Sequence, residues 1–334
     1  MHLLPIAIIT LLLAAMAACG GTTTESEQQG RALTTIKVGI MTIPDCATVP
    51  VAQQRKYFEA EGLRVETVTV QGGGIALPML KSGALHFSIM NHVAAIQDEA
   101  REPGTIKLVT DAYQAAPGAF VLMVPKDSPI DTVGDLRGKH VSVLTLNSVG
   151  TLTLDAALKV HGLTNKDVQV SEMKVTDMIN ALESKRIDAA WMTEPFITAF
   201  AIRGGRKIAD MMQGQTADLP IAGWATSGDF AKNNPGTVRA FQRAMLRAQN
   251  DVADDRQLVT DILPTYTKID KQAAANIVLG TFPVGLARSR LQRVVDLMVE
   301  YGYIQNGAVN VDNLLISEPA ASLSPLDQTQ QEPR

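Results

Sequence analysis

Leu80-Lys-Ser-Gly-Ala-Leu-His-Phe-Ser-Ile-Met90 and Leu182-Glu-Ser-Lys-Arg-Ile-Asp-Ala-Ala-Trp-Met192 lie about 100 residues apart in a chain of 334. Leu, Ser and Met recur at matching places in the two stretches. Each leaves a helix-like run at its serine and enters a short apolar run of strand character. The match extends upstream. The first copy starts with the strand-like Ile36 to Ile40, a helix-like run from Pro50 to Glu61 stopped by Gly62, the strand Arg64 to Val70 and a helix from Ile75 to Lys81. The second starts with His140 to Leu144, a helix from Thr151 to His161 stopped by Gly162, the strand Val168 to Met173 and a helix from Asp177 to Ser184. Glycine after the first helix of each copy is the residue that most readily takes the left-handed stop. Short apolar strands alternating with helices form parallel β-α-β units. The chain therefore reads as α/β, with two similar lobes built on central sheets.

The remaining segments decide how the lobes are joined. Lys107 to Asp111 and Ala119 to Val124 read as strands, Pro125 to Gly138 holds turn formers around a helix-like Val133 to Leu136, and Ile221 to Thr226 is a further strand. Long helical patterns follow, among them Thr237 to Asp254 and Ser289 to Tyr301. The latter sets Leu291, Val294, Val295, Met298 and Val299 on one face. These helices have no sheet of their own and are expected to pack back onto the first lobe. That predicts lobe I over 35–124 and 225–317, lobe II over 125–224, and a two-segment hinge near 122–127 and 221–227.

Composition narrows the function. Aromatic residues are only 4%, which suits a helix-rich α/β protein better than a β-sandwich. Thirty basic against 34 acidic residues give a net charge of −4, so neither nucleic acid nor a dedicated membrane-surface patch is indicated. Leu3 to Ala18 is apolar but short and Ala-rich, as in an export signal rather than a spanning helix. It ends Met16-Ala-Ala-Cys19-Gly20, which resembles a bacterial lipobox. Residues 1–18 are accordingly read as a lipoprotein signal peptide with Cys19 as the lipidated residue, although Met16 replaces the usual Leu and no Lys or Arg precedes Arg31. Residues 19–34 read as a flexible tether and 318–334 as a disordered tail. Lipidation of Cys19 leaves Cys46 as the only other cysteine, which excludes a disulfide or a multi-cysteine metal site.

Three motifs carry a family resemblance. Tyr57-Phe-Glu-Ala-Glu-Gly-Leu-Arg-Val65, Asp135-Leu-Arg-Gly-Lys-His-Val141 and Ala181 through Pro195 are similar to "YFxxEGLxV", "DLKGKxV" and "ALxxGxvDAaxxxEP". These patterns belong to the substrate-binding proteins of nitrate, sulfonate, taurine and thiamine-pyrimidine importers. The resemblance runs from about residue 36 to 316. It implies a periplasmic-binding-protein-like fold of type II that closes on a small solute and delivers it to the permease and ATPase subunits of an ABC importer. It also implies a monomer without cofactor, exported and held by lipid on the outer face of the cytoplasmic membrane or in the periplasm. Relatives of the fold include thiamine-pyrimidine synthases, but these need a cysteine cluster that is missing here. A solute-sensing lipoprotein is the other alternative.

In parallel sheets ligands sit beyond the carboxyl ends of the strands, and this rule selects the candidate site residues. Lobe I offers Asp45, Cys46 and Thr48, then Gly73 and Gly74, Asn91 and His92, and Tyr113 beside Asp111. Lobe II offers Asn147, Ser148 and Thr151, then Glu194, with Trp224 at the hinge. Each has a plainer reading. The glycines are either an approach for a polar ligand group or a flexible turn. Ser148 and Thr151 either contact ligand or cap a helix. Glu194 either accepts from a ligand or ties down a helix start or the hinge. Tyr113 and Trp224 either stack on a planar ring or fill the core. Cys46 is a candidate wall with no sign of reactivity, and the scattered histidines have no metal-ligand spacing. Asp45, Asp111 and Glu194 without a Lys or Arg in these loops favour a neutral or amino-bearing molecule over a small strong anion.

Overall fold

The computed structural model describes residues 32–316. The expected signal peptide with Cys19, most of the tether and the tail lie outside the described residues. The first copy of the repeat runs β1 (Thr34–Ile40), α1 (Thr48–Gln54), α2 (Tyr57–Ala60), β2 (Leu63–Thr69), α3 (Gly73–Lys81), β3 (Phe87–Asn91) and α4 (His92–Arg101). After β4 (Ile106–Gln114) and β5 (Phe120–Val124), the second copy runs β6 (His140–Val143), α5 (Val149–Val160), β7 (Gln169–Glu172), α6 (Val175–Glu183), β8 (Ala189–Thr193) and α7 (Phe196–Ile202). β9 (Arg206–Asp210), β10 (Pro220–Ser227), α8 (Gly228–Asn233), α9 (Pro235–Asp254), α10 (Arg256–Tyr266), α11 (Lys271–Asn276) and α12 (Arg288–Glu300) complete the order.

These strands make two five-stranded sheets of the same design, β2-β1-β3-β10-β4 and β7-β6-β8-β5-β9. The repeat strands pair in parallel, β1 with β2 and β3 and β6 with β7 and β8. In each sheet the fourth strand is antiparallel to both neighbours. The duplication expected from sequence is therefore present in order and in topology.

The expected lobe boundaries need correction. Residues 120–124, assigned above to lobe I, pair with β8 and β9 in the second sheet. Residues 220–224, assigned to lobe II, pair with β3 and β4 in the first. Both crossings thus lie a few residues earlier than expected, at 115–119 and 211–219. Strands buried along their whole length, as β5 and β10 are, carry no alternation that would tell which sheet they join. The two crossings run side by side. The Ala115 N–H donates to the Leu219 carbonyl at 2.9 Å and the Met211 N–H to the Phe120 carbonyl at 2.9 Å. The Gly118 N–H donates to Asp210 Oδ2 at 2.7 Å.

The helices after β10 return to the first sheet, as their lack of partner strands requires. Gln242 Nε2 on α9 donates to the Val109 carbonyl at 2.8 Å and Gln249 Nε2 to that of Ala112 at 2.9 Å. Phe58 and Phe241 stack with centroids 5.7 Å apart. The helix expected over Pro50–Glu61 is broken at Lys56, whose φ of 57° turns Tyr57 and Phe58 toward α9. On α12 the buried face holds Leu297 where Val299 was expected, and Val299 is only partly buried. α4, α7 and β9 were not foreseen: α4 begins without any turn after β3 because the Asn91 side chain accepts the Ala94 N–H at 2.9 Å.

The repeat also exposes a local conflict. Gly83 closes α3 with a φ of 75°, and its counterpart Lys185 closes α6 with a φ of 57°. The left-handed conformation disfavours a residue with a Cβ, and the exposed Lys185–Asp127 pair at 3.5 Å offsets little of that. Lys185→Gly is therefore expected to stabilise the protein by roughly 0.5–1 kcal/mol despite glycine's greater chain entropy. Urea unfolding of the two proteins measures it; a loss of stability would refute the strain.

Candidate ligand-binding cleft

The two sheets face each other with corresponding strand ends around one cavity, which has a free volume of about 530 Å³ with its mouth included. Lobe I contributes Met41, Ile43 and Asp45 beyond β1, Gly72 and Gly73 before α3, and Ile89 to Asn91 at the end of β3. Lobe II mirrors this with Leu144 and Thr145 beyond β6, Ser148 to Gly150 opening α5, and Trp191 and Thr193 on β8. Phe120, Ile221 and Ala222 close the crossing side. The surround is mostly apolar with few polar groups, and no Lys, Arg or His is among the lining residues.

Of the residues singled out from sequence, Asp45, Gly73, Asn91 and Ser148 meet at this cavity. The others are placed elsewhere. Trp224 is fully buried on β10 and packs edge-on to Phe241 with centroids 6.3 Å apart, so it is core. Trp191 takes the lining position instead, stacked on Phe120 at 5.1 Å and 27°. Its indole N–H donates to Thr153 Oγ1 at 2.9 Å. Strand-end reasoning passed over Trp191 because it stands mid-strand; its signal was a lone large aromatic among alanines.

Tyr113 is buried against Phe120 and Phe282, and its hydroxyl accepts the Gly280 N–H. His92 is fully buried in the first turn of α4, with Nε2 3.7 Å from Asp111 Oδ1. Thr151 closes a capping turn, its hydroxyl accepting the Ser148 N–H at 2.8 Å. Ser148 opens α5 and also lines the cavity. Gly74, Asn147 and Thr48 lie outside the lining, and so does Cys46, whose Sγ accepts the Met41 N–H at 3.3 Å. Burial pushes the Cys46 thiol far up from its ordinary value, which keeps it protonated.

The three carboxylates separate completely. Asp111 is buried against the Arg290 guanidinium, which also holds Gln114 Oε1 at 2.7 Å. Arg290 comes from α12, too distant in sequence for the pairing to be read there. Glu194 accepts from the Thr198 N–H at 3.1 Å and its hydroxyl at 2.9 Å. It also accepts the Val278 N–H at 3.1 Å, across from the segment that follows α11. Burial raises the Glu194 pKa and these bonds oppose the rise. Its oxygens are spent on protein, tying lobe II to a strand-like segment of lobe I. Only Asp45 is left facing the cavity. It sits in the short turn Pro44–Cys46, is 3% exposed, and its Oδ1 has no hydrogen-bond partner. Burial, slightly opposed by its own N–H, pushes its pKa up to about 7.

Among the described residues no group of three or more His, Cys, Asp or Glu is placed to hold a metal ion. No described helix is long and apolar enough to cross a membrane.

Comparison with known proteins places this geometry. A family model described as NMT1/THI5 like matches residues 43–257. A Bacillus subtilis (strain 168) protein, provisionally named for binding aliphatic sulfonates, is 24% identical over 290 residues, spanning 84% of this chain and 82% of its own. The riboflavin-binding protein RibY of Chloroflexus aurantiacus is 28% identical over 221 residues, 63% of this chain and 60% of its own. Among solved structures, the alkanesulfonate-binding protein of Xanthomonas axonopodis pv. citri bound to MOPS superimposes with a TM-score of 0.71 at 18% identity, over 85% of this chain and 98% of that one. The desulfurization enzyme DSZB shares the fold with a TM-score of 0.62 at 15% identity, over 84% and 96%.

Asp45 sets a pH dependence whose sign follows from its environment. The folded pKa of about 7 lies above the ordinary 3.8, so the folded state holds the proton more tightly. Stability on this account is full below about pH 4 and is lost as pH rises to about 7. The amplitude is on the order of 4 kcal/mol at most. Subtracting urea unfolding free energies of Asp45→Asn from those of the unsubstituted protein at pH 4.5 and 8 isolates it. A difference that does not change with pH would refute the buried, unpartnered carboxyl.

Proposed function

The chain belongs to the NMT1/THI5-like family, and we propose that it is the extracytoplasmic solute-binding component of an ABC importer, a carrier of a small polar organic molecule. The observation that carries this reading is the single cavity built from matching strand ends of two similar sheets, apolar with a few inward polar groups. One relative carries the name of an ABC transporter periplasmic binding protein, which supports the delivery step. A solute held between the lobes touches both at once. It therefore binds the closed arrangement better than an open one and shifts the population toward closure. The paired crossings at 115–119 and 211–219 are the natural hinge, because they alone carry the chain between sheets. The closed form then docks as a monomer on a permease, which reopens it.

A carrier is favoured over an enzyme by the lining itself. Asp45 is the sole ionisable side chain among its lining residues, so the cavity offers no pair of groups with separated pKa values to divide acid and base roles. Cys46, buried and protonated, is no nucleophile for this cavity.

Native mass spectrometry of the purified protein, with a thermal-shift screen of small solutes, tests capture. One solute per chain is expected, and Trp191→Ala should weaken it at least roughly tenfold by removing the stacked wall. Trp224→Phe should lower stability while leaving affinity nearly unchanged. Failure of every solute, or indifference to Trp191→Ala, would refute the site.

We further propose that the protein is exported and anchored through a diacylglyceryl group on Cys19, from the apolar run Leu3 to Ala18 that precedes it. Cys19→Ala should move the protein from the membrane fraction and abolish labelling by a radioactive fatty acid. Equal labelling of the variant would overturn the anchor.

A further inference from the structure

Relatives of this chain carry names that point to sulfonates, yet the cavity is built for the opposite charge. Asp45 lines it, is 3% exposed, and keeps Oδ1 free of any hydrogen-bond partner. A buried, unpartnered carboxylate oxygen is costly unless something that enters the cavity supplies a donor. No lining residue is a cation, and among the described residues no ion pair involves Asp45. The neighbours that share its field are Cys46, Tyr113 and Tyr266, which add no positive charge when protonated. Arg290 is committed to Asp111, and Arg256, whose charge acts on Tyr113, donates to the Ile277 carbonyl. An anion entering here would meet an acidic group across an apolar, weakly screening gap. The stacked pair Trp191 and Phe120 supplies aromatic, apolar lining to the same cavity.

We propose that the cleft selects a small organic cation with a flat apolar body, its N–H donors directed at Asp45 and its body against Trp191. This rests on the solute-binding reading above and names the ligand class for that same site. The cation favours the ionised carboxylate, so binding below neutral pH expels the Asp45 proton to solvent. Asn91, Thr145 and Thr193 complete the polar edge, while the position beyond β6 that mirrors Asp45 by strand register is the neutral Ser148. The charge of the site is therefore one-sided, and a molecule with its cationic group at one end meets it best.

The test is isothermal titration of the full chain with three probes of one shape: benzamidinium, benzamide and benzenesulfonate. Benzamidinium should bind most tightly, at least tenfold ahead of benzamide, and benzenesulfonate should not bind. Asp45→Asn should weaken benzamidinium by about 10- to 100-fold, the range for a hydrogen bond to a charged group, and leave benzamide little changed. In the unsubstituted protein at pH 6, titration in buffers of different ionisation enthalpy should show net proton release. That measurement stands even if Asp45→Asn fails to fold. Benzenesulfonate binding as well as benzamidinium, benzamidinium unaffected by Asp45→Asn, or binding without proton release would each overturn the cation assignment. So would the absence of benzamidinium binding. The carrier reading itself falls only if no solute in the wider screen stabilises the protein.

Discussion

The structure depends on one exchange of strands. Each half of the repeat builds three parallel strands, and the strand that completes its sheet comes from the far side of a crossing. β5 follows the first half and enters the second sheet; β10 follows the second half and enters the first. Both exchanged strands are buried along their length, so neither lobe has a finished core without the other. The crossings bond to each other through Ala115 and Leu219, and Met211 bonds to Phe120 at the start of β5. Two sheets joined at one edge by paired segments leave a cleft between their strand ends.

What the cleft recognises follows from how its carboxylates are spent. Three acidic residues stand near strand ends, and two are consumed by the fold. Arg290 neutralises Asp111 beneath the sheet, and Glu194 is saturated by Thr198 and Val278. Leaving a carboxylate buried without a partner is expensive, so the exception at Asp45 is informative. The same reasoning reassigns the aromatics. Trp224 is packed against Phe241 as core, whereas Trp191, held by Thr153, is among the residues lining the cavity.

Glu194 is bound entirely within the protein. It starts the turn into α7 by accepting from Thr198, and it reaches over to the backbone at Val278. Its bond to Val278 joins the end of β8 to the segment after α11.

The local chemistry of the sequence alone determined the duplicated β-α-β unit. Apolar period, helix stops at Gly62 and Gly162, and the matched Leu, Ser and Met positions are short-range signals that survive any arrangement. The strand-end rule likewise located Asp45, Gly73, Asn91 and Ser148 correctly at the cavity. Only the tertiary structure decided which sheet β5 and β10 join, because a fully buried strand looks the same from either side. It alone also decided which charged and aromatic groups remain free, since Arg290 and Asp111, Glu194 and Val278, and Trp224 and Phe241 meet across long stretches of chain. Partnership between distant side chains leaves no periodic trace, and the character of the cleft is what remains after those partnerships are made.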